Sequence, residues 1–80
     1  MRPGIKQLTL MRLAHENGKL ELTDIMDVYG MKESEENRRI ARGKAEVLET
    51  MGYIKKVNAG YTYWILTKTG RMMLKEMLKT

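Results

Sequence analysis

The sequence of 80 residues contains no cysteine and only one histidine, His15. It therefore has no residues for a disulfide framework or a cysteine-based metal site, and one histidine cannot form a metal site by itself. No apolar run approaches the length of a membrane span, and the first residues lack the apolar stretch of a signal peptide. We therefore expect a cytoplasmic protein that holds no metal ion.

The residue patterns of common active sites are also missing. The chain has no paired carboxylates and no phosphate-cradling glycine loop beside an apolar pocket, and a catalytic centre built on cysteine is not available to it. We expect a binding protein, not an enzyme. We also expect no cofactor and no small-molecule ligand.

The net charge of +5 is unevenly distributed. Residues 1–52 carry nine Lys or Arg and nine Asp or Glu, whereas residues 53–80 carry six Lys or Arg and one acid, Glu76. A basic last third indicates a polyanionic partner, either nucleic acid or an anionic membrane surface. The length predicts a single domain, 1–80, with a small core.

Apolar periodicity and helix-stop residues predict four helices. They are Ile5–Glu16, Asp24–Tyr29 with Thr23 as its cap, a central helix that ends at Gly52, and 68–78 with Thr67 as its cap. Residues 19–22 alternate polar and apolar and are too short for more than an edge strand or an extended connector. The central helix begins after either Ser34 or Asn37, since both residue types cap helices.

The central helix carries three arginines. On a helical wheel, Ile40, Val47 and Met51 share one apolar side with Leu48 beside them. The opposite side and its edge hold Arg38, Arg42 and Arg39. Cations in the first half of a helix oppose its dipole, so we expect these arginines to have a partner outside the protein. Phosphates and guanine edges fit, because both accept the arginine fork in bidentate geometry.

Gly43 lies inside this helix, where glycine costs about 1 kcal/mol relative to alanine. Close packing against a neighbouring helix would explain it, and close approach to a DNA backbone would explain it too. Of the two, we favour packing.

Two β-prone runs, Ile54–Val57 and Tyr61–Leu66, predict a hairpin around the loop Asn58-Ala59-Gly60. If Val57 pairs with Tyr61, the alternation of a strand places Ile54, Trp64 and Leu66 toward the core. Tyr63 then lies on the other face, largely exposed.

The order helix, short strand, helix, helix, hairpin, helix resembles a winged helix-turn-helix domain. The segments LETMGYI and YWILTKTG are similar to those that end the recognition helix and the wing in MarR- and PadR-like transcriptional regulators. The matching residues are Leu48, Gly52, Tyr53 and Ile54, followed by Leu66, Thr67 and Gly70. The resemblance covers residues 5–78, and small free-standing proteins of this kind are common in archaea and archaeal viruses.

This resemblance implies an α+β fold: a winged helix-turn-helix with a three-helix core, a short β-hairpin wing and a C-terminal helix. It also implies a transcriptional regulator that binds double-stranded DNA with its recognition helix in the major groove. Carried over by position, the DNA-binding residues are Arg38, Arg39, Arg42 and Gly43 in the helix, and Lys55, Lys56 and Asn58 in the wing. The chain departs from the family in a longer segment before the arginines and a shorter wing.

Two other binding functions remain open. A winged helix can act as a protein–protein interaction module without DNA binding, and Glu33, Glu35 and Glu36 would repel phosphates if they faced the groove. Binding to double-stranded RNA is the second. We also expect a homodimer whose seam includes the C-terminal helix, because Met72, Met73, Met77 and Leu78 exceed what one small core needs.

Overall fold

Four helices and a two-stranded antiparallel hairpin make up the fold, in a computed structural model that describes residues 2–79. In chain order they are α1 (Ile5–Asn17), α2 (Leu22–Val28), α3 (Glu35–Thr50), β1 (Ile54–Asn58), β2 (Thr62–Leu66) and α4 (Lys68–Met77). The expected α+β class is confirmed. Helices α1, α2 and α4 begin and end within two residues of their predicted positions, and α3, whose start was left open between two caps, begins at the earlier one.

Side-chain hydrogen bonds mark where the helices begin. Ser34 is the cap of α3, since its Oγ accepts from the Asn37 amide at 3.0 Å. The predicted Thr23 cap of α2 is wrong. Asp24 Oδ2 accepts from the Glu21 amide at 2.8 Å, so the helix begins earlier, at Leu22. The predicted Thr67 cap of α4 is confirmed.

The connection between α1 and α2 contributes one residue to the sheet. Leu20 forms an isolated antiparallel bridge with Trp64, in which the Leu20 amide donates to the Trp64 carbonyl at 2.7 Å and the Leu20 carbonyl accepts from the Trp64 amide at 2.9 Å. Leu22, predicted to lie in the same extended segment, belongs to α2 instead. The bridge attaches β2 to the start of the helix pair α2–α3.

The hairpin has the predicted faces in a different register. Val57 pairs with Tyr63, where pairing with Tyr61 was expected. A shift of two residues leaves each side chain on its original face, because strand side chains alternate with a period of two. Trp64 is therefore buried as predicted, with Ile54 and Leu66 beside it in the core. Tyr63 is half-buried, more covered than expected.

The core-facing side of α3 differs from the prediction. Ile40 and Val47 are 44% and 48% exposed, whereas Ala41, Ala45 and Leu48 are completely buried. The helix packs against α2, and the distance between two packed helices depends on the side chains at their contact. Two alanines allow a close approach that isoleucine and valine would prevent.

The turn that ends α3 packs against the start of α4. Gly52 adopts φ 85°, and the Tyr53 amide donates back to the Leu48 carbonyl at 3.1 Å, which ends the helix as predicted. Gly70 packs against this turn. A Cβ at Gly70 would overlap the Tyr53 carbonyl oxygen and lie 2.9 Å from a methyl group of Leu66.

Candidate nucleic-acid interface

The three predicted arginines of α3 differ in their partners. Arg38 is tied to Glu33 in a bidentate pair, with Nε–Oε2 at 2.6 Å and Nη2–Oε1 at 3.1 Å. The hydrogen bond and charge of Glu33 raise the pKa of Arg38. Arg39 and Arg42 are exposed. Between residues 2 and 79 the Arg38–Glu33 pair is the only salt bridge, so Arg39 and Arg42 have no carboxylate partner there.

A groove of about 400 Å³ lies where α3, the start of α2 and the hairpin meet. Three of the predicted cations line it: Arg38 and Arg42 from α3, and Lys56 from β1. The remaining lining residues are Glu21, Leu22, Thr23, Tyr61, Thr62 and Trp64. Cations therefore outnumber carboxylates in the groove, and its open side favours an anion.

The other predicted residues lie outside this groove. Lys55 is on the opposite face of the hairpin from Lys56, because neighbouring strand residues point to opposite sides. Asn58 is exposed near the hairpin tip, where its Oδ1 accepts from Thr62 Oγ1 at 2.8 Å. Arg39 is exposed on α3 outside the groove lining. The predicted set is thus divided between the groove, the outer side of α3 and the hairpin.

Gly43 is not a packing residue. Apart from its chain neighbours and the backbone of its own helix, no atom lies within 4 Å of the position that a Cβ would occupy, so the expected contact with a neighbouring helix is wrong. No packing contact within residues 2–79 offsets the stability that glycine costs inside a helix. The alternative, close approach of a DNA backbone at this position, stays a prediction.

Sequence reasoning missed a cluster around Tyr61. Lys19 Nζ donates to the Tyr61 hydroxyl, and the same nitrogen lies 5.1 Å from the Tyr61 ring centroid and 5.6 Å from that of Tyr63. The hydrogen bond to Tyr61 raises the pKa of Lys19. Because Tyr61 also lines the groove, this lysine adds a further cation near its rim. No local pattern signals the contact, since 42 residues separate its partners.

Other kinds of site were sought among the described residues. Within residues 2–79, no group of three or more His, Asp or Glu side chains is placed to hold a metal ion. No helix in that range is long and apolar enough to cross a membrane. Comparisons with protein-family models, with curated proteins and with solved structures gave no match for this chain.

Proposed function

We propose that this protein binds double-stranded DNA as a winged helix-turn-helix transcriptional regulator, with α3 in the major groove. The observation that carries the proposal is the groove shared by Arg42 and Lys56. Two cations from different elements line one open cavity, and neither forms an ion pair within residues 2–79. Such cations bind phosphates and release the counterions condensed on the duplex.

The order and packing of the elements also support the proposal. The helices α2 and α3 pack against each other, and the hairpin follows α3 directly. The isolated Leu20–Trp64 bridge lies between the first two helices, where a winged helix has its short first strand. This arrangement leaves the outer side of α3 and the hairpin tip uncovered.

The predicted residues would act in different ways. Arg42 and Arg39 are free to contact guanine edges or phosphates, whereas Arg38 must first leave Glu33. Lys55, Lys56 and Asn58 would anchor the hairpin to the sugar–phosphate backbone, which fixes orientation without reading sequence.

A titration of random-sequence duplex DNA across a salt series tests the proposal, with fluorescence anisotropy as the signal. If four to six phosphates are neutralised, the logarithm of the binding constant should fall by about 3.6 to 5.4 per tenfold increase in salt. The double variant Arg42→Ala/Lys56→Ala should lower that slope by about 1.8. Lys75→Ala, an exposed lysine of α4 outside the groove lining, is the matched control and should leave it unchanged. Absence of binding at low salt would refute DNA binding.

Protein–protein interaction is the second candidate function. The start of α3 favours it, because Glu35 and Glu36 are exposed there and would repel phosphates. The same titration separates the two functions, since a protein-interaction module shows no salt-dependent binding to any duplex. An RNA duplex of equal length, used as a competitor, tests the double-stranded RNA alternative.

We further propose that the DNA-binding form is a homodimer through α4. Met72 is 63% exposed and lines a shallow groove with Met73, Arg2, Thr69 and Glu76. Leu78, grouped with these methionines in the prediction, lines a separate groove with His15, Arg71 and Lys75. The cations around Leu78 would repel a second copy, so we assign the seam to the Met72 side.

Light scattering at micromolar concentration tests the dimer. The protein should give the mass of a dimer, and Met72→Asp should give that of a monomer, because a carboxylate cannot be buried there without a partner. Met72 is already exposed, so this change should not affect folding. A monomer mass for both proteins would contradict the seam. Two-fold symmetry would place two α3 helices on a palindromic site.

A further inference from the structure

The outer side of α3 carries a narrow aliphatic strip, which consists of Ile40, Gly43 and Val47. Spacings of three and four residues place the three positions along one side of a helix. Both aliphatic side chains are nearly half exposed, and nothing occupies the space above Gly43. Phosphate binding does not use these residues, and the core does not need them. Both are β-branched, so little χ1 freedom is lost when they are covered.

We infer that the aliphatic strip reads the C5-methyl groups of thymine in the major groove. The inference rests on the proposed DNA binding and adds a base preference to it. The thymine methyl is the apolar group that DNA presents to a helix in that groove. Gly43 has no side chain to hold the helix away from the bases. Arg39 and Arg42, on the same helix, would contact the flanking phosphates or guanines.

An acid beside the strip favours contact with bases over contact with the DNA backbone. Glu46 is exposed and lies on the same outer side of the helix. A carboxylate repels phosphates, but it accepts a hydrogen bond from the cytosine N4 amino group. The outer side is therefore better suited to the floor of the groove than to its phosphate walls.

A protein partner is less consistent with the size of the strip. A stable protein–protein interface buries roughly 1,200–2,000 Å² in total. Two half-exposed aliphatic side chains, with a carboxylate beside them, supply only a small part of such an area. A thymine methyl, in contrast, needs contact with only one side chain.

The length of the strip predicts the spacing of the thymines. Ile40 and Val47 are seven residues apart, which is about 10.5 Å along a helix axis. Successive base pairs rise by about 3.4 Å. Because the methyl groups also follow the twist of the groove, each half-site should contain two thymines about two to three base-pair steps apart.

Replacement of thymine by uracil tests this inference, because it removes the methyl group and keeps the base pair. A preferred duplex is first recovered from a random library by binding to the whole protein. Each thymine of that duplex is then replaced by uracil, one at a time, and affinities are measured by fluorescence anisotropy. Wild-type protein should lose about fourfold in affinity at two positions of each half-site, the factor expected from burial of one methyl-sized group.

Variants assign each methyl to a side chain. Ile40→Ala should abolish the uracil effect at one position of each half-site, and Val47→Ala should abolish it at the other. Ile5→Ala is the matched control, since Ile5 is an isoleucine of α1 that is 87% exposed. This variant should keep both effects.

The outcomes distinguish a failure of methyl reading from a failure of the proposed DNA binding. Equal affinity of wild-type protein for thymine and uracil duplexes would overturn methyl reading and leave DNA binding intact. Uracil effects that persist in both α3 variants would also overturn it. If no duplex is recovered and none binds at low salt, the proposed function itself fails.

Discussion

Gly43 and Gly70 both lie inside helices, yet their surroundings are opposite. At Gly70 a Cβ would overlap the Tyr53 carbonyl oxygen, and at Gly43 it would meet no atom within 4 Å outside its chain neighbours and its own helix backbone. The Tyr53 carbonyl is also held in place, since it accepts from the Thr67 amide at 3.0 Å. The fold therefore requires the glycine in α4 and does not require the one in α3. A glycine that folding does not need points to a surface that must stay flat for another reason.

The largest expected effect is that of Gly70→Ala. The added methyl group must displace backbone and the side chain of Leu66, so the variant should lose about 3 kcal/mol of unfolding free energy. That is a large part of the 5–15 kcal/mol typical of a domain. Urea unfolding followed by Trp64 fluorescence measures the loss. Lys68→Ala, at an exposed position in the same turn, is the control and should change stability little.

A smaller effect, on binding alone, is expected at the arginines. Arg42→Ala should lower affinity for the preferred duplex by about 1–3 kcal/mol if its contact is bidentate to guanine. Arg38→Ala should cost less, because Glu33 already occupies that guanidinium. Neither change should move the urea midpoint by much.

Removal of Glu33 tests why Arg38 and Arg42 should differ. In a Glu33→Ala background Arg38 is released, and Arg38→Ala should then cost more affinity than it does in the wild type. An equal cost in both backgrounds would show that the ion pair does not limit Arg38.

The smallest expected effect is that of Gly43→Ala. The protein should gain about 1 kcal/mol in stability, because alanine is the better helix former and the site is open. Affinity for duplex DNA should fall if the helix backbone approaches the bases at this position. A stabilised variant with unchanged affinity would leave Gly43 without a role in binding.

Much of the fold could be predicted because its boundaries depend on local chemistry. Ser34 and Thr67 cap their helices through hydrogen bonds to residues three positions later. Gly52 ends α3 with the left-handed conformation that glycine adopts easily. The hairpin faces also followed from alternation alone, although the register was two residues off. In each case, the decisive interaction lies within a few residues along the chain.

The candidate site was less predictable because tertiary packing decides it. The wheel grouped Ile40 and Val47 on one apolar side of α3, but the close contact with α2 involves the smaller Ala41 and Ala45. The outer side of α3 could be identified only once the structure showed that the two alanines face α2. The pairing of Lys19 with Tyr61, distant in sequence, has no local signal either. Whether Arg39, Arg42 and Lys56 contact DNA stays a prediction.

The contacts of Trp64 determine how the hairpin can separate from the helices. Its backbone pairs with Leu20 before α2, and its indole Nε1 donates to Glu49 of α3 at 2.7 Å. One residue of β2 thus connects the hairpin to both the start and the end of the helix pair. The hairpin cannot detach from α3 unless these contacts break together. Hydrogen exchange at the Leu20 and Trp64 amides should therefore follow global unfolding, whereas the helix ends and the hairpin tip exchange through local fraying.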